Sequence, residues 1–199
     1  MAYSQQYERS EYDDCEYGST YCNEQQFPKY KDYSTQGSYG RQRIPQGQIM
    51  RVCCKANPDY ALGVRDGKVM LVYYNPSDPT QQWVKDETWS NRVRDEVGHP
   101  AFCLVNKATG QALRHAPAAC REVLLSEYEA GSFDESVMWS ESEDMGYGYR
   151  TIRMANNIGL NLDAFQADRK NGGVREGTHA VLWKWNKQEN QLWKLSPCY

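Results

Sequence analysis

The chain closes on three phrases, Leu162-Asp163-Ala164, Leu182-Trp183-Lys184-Trp185 and Asn190-Gln191-Leu192-Trp193. They complete a unit of about fifty residues, and a similar pattern occurs twice more upstream. Each unit holds a Leu-centred strand, then a Leu-x-x-aromatic segment, then a tryptophan. The matching positions are Leu62, Leu113 and Leu162; Leu71, Leu125 and Leu182; Tyr74, Tyr128 and Trp185; and Trp83, Trp139 and Trp193.

This threefold repeat indicates one closed all-β unit. Three copies are fewer than the four blades at which propellers begin, and the copies are too irregular for an open solenoid. A closed barrel leaves no exposed sheet edge. The sequence therefore predicts a β-trefoil, with Leu182, Trp185, Trp193 and their counterparts in a shared core.

The first 43 residues differ from the rest of the chain. They contain no Val, Ile or Leu, yet hold eight of the fifteen tyrosines among Gln, Ser, Glu, Asp and Gly. Such a segment buries too little aliphatic surface to offset the entropy of ordering. We expect a disordered tail over residues 1–47 and a trefoil over residues 48–199.

Charge and composition exclude several partners. The net charge is −3 and the pI about 5.7, with acids and bases interspersed, so no basic stripe favours nucleic acid. No apolar run approaches a membrane span, and the N-terminus lacks the regions of a signal peptide. We expect no membrane insertion and a location in the cytoplasm and nucleus.

The cysteine, histidine and acidic residues do not lie at the spacings that are typical of metal or catalytic sites. The seven cysteines form no CxxC pair, and His99, His115 and His179 lie at no zinc-ligand spacing from them. Reduced, mostly buried thiols are expected, without a metal or another cofactor. The acidic run from Asp134 to Asp144 is typical of a solvated loop, so we do not expect an enzyme.

Several phrases resemble a known family. Gln81-x-Trp83 and Gln191-x-Trp193 match the QxW motif of ricin-B-type lectin domains, and Val137-Met138-Trp139 is a degenerate copy. Further phrases resemble the Euonymus lectins of plants, among them Leu104-Val105-Asn106-Lys107-Ala108-Thr109-Gly110 and Arg153-Met154-Ala155-Asn156-Asn157. The resemblance covers about residues 48 to 199. It implies a β-trefoil that binds carbohydrate without catalysis, with a role in stress or defence signalling.

The three repeats differ in the groups that a sugar site needs. Asp163 aligns with Gly63 and Arg114, Trp183 with Val72 and Ser126, and Asn190 with Thr80 and Ser136. A carboxylate can accept from two vicinal hydroxyls, an amide reads a third, and an aromatic face stacks on the apolar side of a pyranose. We therefore predict one carbohydrate site, in the third repeat.

Two neighbours of this set need separate treatment. Ricin-type sites often carry a Gln two residues before the stacking aromatic, where this chain has Val181, and His179 lies close enough to replace it. Gln191 is included in the candidate site, but its counterpart Gln81 persists in a repeat without the other groups, which favours a turn-stabilising role.

Galactosylated or mannose-type glycans of glycoproteins are the expected ligands. The alternative is a protein–protein interaction module in which trefoil and tail act as an adaptor.

Overall fold

The computed structural model describes residues 44–198, and this stretch is built from β-strands and short 3-10 helices without an α-helix. The strands are β1 Gln48–Cys54, β2 Tyr60–Arg65, β3 Lys68–Tyr73, β4 Trp83–Asp86, β5 Ala101–Asn106, β6 Ala112–Arg114, β7 Leu124–Ser126, β8 Trp139–Glu141, β9 Ile152–Met154, β10 Asn157–Ala164, β11 Thr178–Lys184 and β12 Trp193–Pro197. The 3-10 helices are Pro79–Gln81, Glu135–Val137, Arg169–Asn171 and Glu189–Gln191.

Six strands form a barrel that closes on itself. β1 pairs with β12 on one side and with β4 on the other, and the ring continues from β4 to β5, β8 and β9. A bridge between Arg150 and Trp193 joins the start of the β9 region to β12. The remaining strands form three hairpins, β2–β3, β6–β7 and β10–β11. This is the predicted β-trefoil.

One leucine pair repeats in each hairpin. Leu62 lies opposite Leu71, Leu113 opposite Leu125, and Leu162 opposite Leu182. All but Leu125 are fully buried, and Leu125 packs against the same core from its edge. Because paired residues point to one side of a hairpin, the leucines direct each hairpin toward the common core.

The three repeat tryptophans are bound in the same way. The indole Nε1 of Trp83, Trp139 and Trp193 donates to the carbonyl oxygen of Leu62, Leu113 and Leu162 respectively, each at 2.8 Å. All three rings are fully buried. Each tryptophan thus fills the core and also satisfies a buried backbone acceptor.

The predicted core is wrong at Trp185. The repeat pattern places Trp185, Tyr74 and Tyr128 in the shared core, but in the structure all three are half-buried. Strand β11 ends at Lys184, and the backbone N–H of Asn186 donates to Gln191 Oε1 at 2.8 Å. The chain therefore turns away from the barrel before Trp185 can enter it.

Two other predictions concern the N-terminal tail and the cysteines, and each falls partly outside the described residues. The first strand begins at Gln48, while residues 1–43 of the predicted tail lie outside the described residues. Cys53, Cys54, Cys103 and Cys198 carry free thiols, and the first three are buried. The expectation of reduced thiols is wrong at Cys120, which is disulfide-bonded. Cys15 and Cys22 lie outside the described residues.

Candidate carbohydrate site

Hairpin β10–β11 separates core residues from candidate site residues. Leu162 and Leu182 point into the core, so the positions beside them lie on the opposite face of the hairpin, where Asn161, Asp163 and Val181 are nevertheless buried. On that face Asn161 pairs with Trp183, and Asp163 pairs with Val181. The pairing places Asp163 and Trp183 on one face, in diagonal positions, although nineteen residues of chain separate them.

Asn190 completes this group from a different element. It lies in the 3-10 helix Glu189–Gln191, directly before β12, and its Nδ2 donates to Asp163 Oδ1 at 3.0 Å. The same amide nitrogen donates to the carbonyl oxygen of Ala164 at 3.0 Å. Both Asp163 and Asn190 are buried, so the amide fixes the orientation of a largely desolvated carboxylate.

Burial dominates the acid–base behaviour of Asp163. It raises the pKa of this carboxyl from 3.8 to about 8, although hydrogen bonds from Gln191 and Asn190 act in the opposite direction. Asp168 adds a small repulsion that also raises the pKa. The side chain therefore changes its charge near neutral pH.

Trp183 provides a half-buried aromatic surface on the same face. Its ring lies 6.1 Å from that of Phe165, centroid to centroid, at an interplanar angle of 45°. Phe165 follows β10 and stays 39 % exposed. Sequence comparison missed Phe165; the alternation Asn161, Asp163, Phe165 along one face was the signal that could have found it.

Gln191 binds the backbone on both ends of its amide. Its Nε2 donates to Lys184 O at 2.8 Å, and its Oε1 accepts from Asn186 N. Gln81 makes the matching contacts in the first repeat, to Tyr73 O and from Asn75 N. Gln191 is fully buried, so its contribution to a ligand site is indirect: it holds the turn beside Asn190 and hydrogen-bonds the Asp163 carboxyl.

The first repeat has no room for the same group. A Cβ added to Gly63, the counterpart of Asp163, would lie 2.8 Å from Val72 Cγ2. Arg65 covers the neighbouring surface, since its Nη2 lies 2.7 Å from Asp78 Oδ2 and its guanidinium also donates to Thr80 Oγ1. In the first repeat an ion pair between Arg65 and Asp78 therefore occupies the surface that corresponds to the candidate sugar site of the third repeat.

The second repeat is closed by a histidine. His115 is buried, its Nε2 lies 2.8 Å from Met138 O, and its ring packs edge-on against Trp139 at 4.6 Å. Burial lowers the pKa of His115 to about 4, so the ring is neutral at physiological pH. The surrounding Arg114, Ser126 and Ser136 provide no carboxylate or aromatic surface.

No metal site and no membrane span were found in residues 44–198. Within this range no group of three or more His, Cys, Asp or Glu side chains could hold a metal ion. No helix in this part of the chain is long and apolar enough to cross a membrane.

Curated relatives carry one recurrent name. Ricin B-like lectin R40G3 of Oryza sativa subsp. japonica is 51 % identical over 156 residues, which are 78 % of this chain and 76 % of the relative. Ricin B-like lectin EULS3 of Arabidopsis thaliana is 55 % identical over 148 residues, 74 % of this chain and 47 % of the relative. The chain thus spans about half the length of some of its relatives. No family model matches.

Solved structures share the fold at low identity. The ricin B-like lectin of Macrolepiota procera, determined in complex with lactose, has a TM-score of 0.58 and 17 % identity over 78 % of this chain and 99 % of its own. The designed threefold-symmetric protein ThreeFoil has a TM-score of 0.55 and 20 % identity over 74 % of this chain and 96 % of its own. Both similarities concern architecture alone.

Proposed function

Because this chain belongs to the plant family of ricin B-like lectins, we propose that it binds glycans through a single shallow site in its third repeat. The observation that carries the proposal is the buried Asp163–Asn190 pair beside Trp183, for which neither other repeat has an equivalent. We propose binding without catalysis, in line with the lectin names of the relatives.

Each group has a defined task toward a pyranose. Asp163 as a carboxylate accepts from two vicinal hydroxyls, and each bond to a charged group contributes about 1.5–3 kcal/mol. Asn190 holds this carboxylate in place, because its Nδ2 donates to both Asp163 Oδ1 and Ala164 O. Trp183, with Phe165 beside it, offers the apolar surface for stacking on the C–H side of the sugar.

A site of this size supports weak monosaccharide binding. Three main contacts correspond to a dissociation constant on the order of millimolar, about −4 kcal/mol. Useful avidity then depends on longer glycans or on several sites acting together. Galactosylated and mannose-type glycans of glycoproteins are the ligands we propose to test first. The lactose complex of the Macrolepiota procera lectin makes a galactoside a reasonable probe.

The test compares glycan retention by matched variants. Asp163→Ala removes the acceptor, whereas Asp163→Asn removes the charge and keeps an oxygen for Asn190. Both should lose retention on a glycan array, with unfolding transitions confirming the fold. Asp59→Ala, which alters an exposed carboxylate in the first repeat, should bind like the wild type. Unchanged retention by both Asp163 variants would reject the site and favour the interaction module.

Location and physiological role rest on the resemblance to the Euonymus lectins. We propose a cytoplasmic and nuclear protein that takes part in stress or defence signalling. A fluorescent fusion of the full chain, followed by microscopy in plant cells before and after osmotic stress, tests both statements. Secretion of the fusion would reject them.

A further inference from the structure

A segment of the second repeat lies along β11, directly after the residues Thr178 and His179 that pair with β3. Cys120 N donates to Leu182 O at 2.7 Å, and Leu182 N donates to Arg121 O at 3.0 Å. Val123 N continues the pattern to Ala180 O at 3.0 Å, and Glu122 bridges to Val181. Residues 120–123 therefore add a short strand on the side of β11 opposite β10.

This pairing carries Glu122 onto the face that holds the candidate site. Val181 pairs with Asp163 on one side and with Glu122 on the other. Paired residues of antiparallel strands project to the same side of the sheet. Two strand spacings separate the backbones of Asp163 and Glu122, roughly 10 Å, which is wider than one pyranose ring.

Polar side chains surround Glu122 at this outer end. Its Oε1 lies 2.8 Å from His179 Nδ1, and its Oε2 lies 3.7 Å from Lys68 Nζ. The side chains of Glu122 and His179 are 46 % and 36 % exposed. His179 in turn adjoins Phe165, whose backbone N–H donates to the His179 carbonyl at 2.9 Å. Trp183, Phe165, His179 and Glu122 thus present half-buried or exposed side chains on one face, with the buried Asp163 and Val181 between them.

We propose that Glu122 and His179 form an extension subsite that contacts the second sugar of a bound glycan. The proposal rests on the function proposed above, and it makes the binding surface a product of two repeats. Phe165 is exposed between the two ends, so the linkage between the sugars crosses its apolar ring while hydroxyls reach polar groups on either side.

The charges of the subsite define the class of glycan. Glu122 accepts hydrogen bonds from hydroxyls, and the His179 ring supplies a donor or an acceptor according to its tautomer. A carboxylate at this position repels uronates and sulfated sugars, and one exposed Lys68 does not reverse the sign. The subsite therefore favours a neutral hexose as the second unit.

The experiment measures how much affinity a glycan gains from its second sugar. Wild type, Glu122→Gln and His179→Ala are titrated by calorimetry with two matched pairs: methyl β-galactoside with lactose, and methyl α-mannoside with α-mannobiose. Each subsite variant should lose about tenfold in affinity for the recognised disaccharide and less than twofold for the matching methyl glycoside. Glu96→Gln, the same change at an exposed site outside this face, should leave both affinities unchanged.

The outcomes separate this inference from the proposed function. Equal losses for both ligands of a pair would show a general structural effect and reject the subsite. No loss for either ligand would reject it as well. If neither pair binds the wild type, the proposed function fails and the subsite with it. If Asp163→Asn loses both ligands while Glu122→Gln loses neither, only the extension subsite is wrong.

Discussion

At the scale of single residues, Asp163 joins two conflicting requirements. A sugar acceptor works best as a carboxylate, whereas burial favours the neutral acid. The amide of Asn190 reduces this conflict by donating to Oδ1 at 3.0 Å. The pKa of about 8 shows that burial still outweighs the hydrogen bonds. Ligand binding should therefore depend on pH in a range where exposed aspartates do not titrate.

Glycan affinity should rise with pH. Only the ionised form of Asp163 accepts from two hydroxyls, so affinity for a recognised glycoside should increase as pH rises through about 8 and level off roughly one unit above that value. Calorimetric titration across this range measures the change. Asp163→Asn should bind weakly and without this slope, and a flat profile for the wild type would contradict the assignment.

Folding stability should show the opposite slope. The folded-state pKa of Asp163 is raised above its unfolded value of about 3.8, so this group's stabilising contribution is complete below that value and is lost as pH rises through about 8. Asp163→Asn should match the wild type near pH 4 and exceed its free energy of unfolding by at least about 1 kcal/mol at pH 8.5. Urea denaturation at the two pH values provides the comparison, and equal stability at pH 8.5 would count against a buried, protonated Asp163.

At the scale of elements, each hairpin is fixed by one indole. The bonds from Trp83, Trp139 and Trp193 to Leu62, Leu113 and Leu162 are equal in length. Trp139→Phe keeps a ring but leaves the Leu113 carbonyl without its donor. We expect a loss of about 1–3 kcal/mol in the free energy of unfolding, with glycan binding unchanged because the third repeat is untouched. Trp83→Phe is the matched control, and a tenfold smaller effect there would refute the equivalence.

Gly63 explains at the same scale why the first repeat lacks a carboxylate. A Cβ at this position would meet Val72 Cγ2 at 2.8 Å and Gln81 Cγ at 3.3 Å. Gly63→Ala should therefore lower the free energy of unfolding by about 1–3 kcal/mol. The double variant Gly63→Ala/Val72→Ala relieves this contact. A thermal denaturation cycle should show the two changes to be less harmful together than their sum, whereas strict additivity would exclude a direct clash.

The residues of the candidate site that stand out when the three repeats are aligned could be predicted from the sequence. The residue that reaches the site by strand pairing between repeats could not. Aligning the repeats singles out Asp163, Trp183 and Asn190, because three chemical types change together at positions of fixed spacing. Glu122 carries no such mark, since it reaches the site by pairing with Val181, which lies 59 positions further along the chain. Trp185 shows the reverse error: its repeat position predicts burial, but the strand ends first.

At the scale of the whole molecule, the barrel depends on the pairing of its ends. Met50 to Cys54 of β1 lie opposite Trp193 to Pro197 of β12. Truncation after Trp193 removes most of β12, opens this seam and should abolish cooperative unfolding, with increased binding of the dye ANS. Ser196→Ala keeps the register and should unfold like the wild type. A cooperative transition in the truncated protein would show that closure is dispensable.

The fold could be predicted from the sequence because the pattern that indicates it extends over the whole domain. Leucine and tryptophan recur three times, and only a closed threefold barrel lets all of them meet in one core. Barrel closure by β12 on β1 follows from the same argument, and it is observed. The domain boundary at residue 48 stays a prediction, because the preceding residues up to 43 lie outside the described part.

The alternation along β10 and β11 has a use in engineering. Every second residue faces the shared core, and the residues between them lie on the opposite face, which is buried at Asn161, Asp163 and Val181 and accessible at Phe165, His179 and Trp183. Positions 165, 179 and 183, which are exposed or half-buried, therefore form a cassette that can be diversified while the buried residues between them stay constant. A display library built on this cassette should yield mostly folded members, and selection on immobilised glycans could then recover binders with altered specificity.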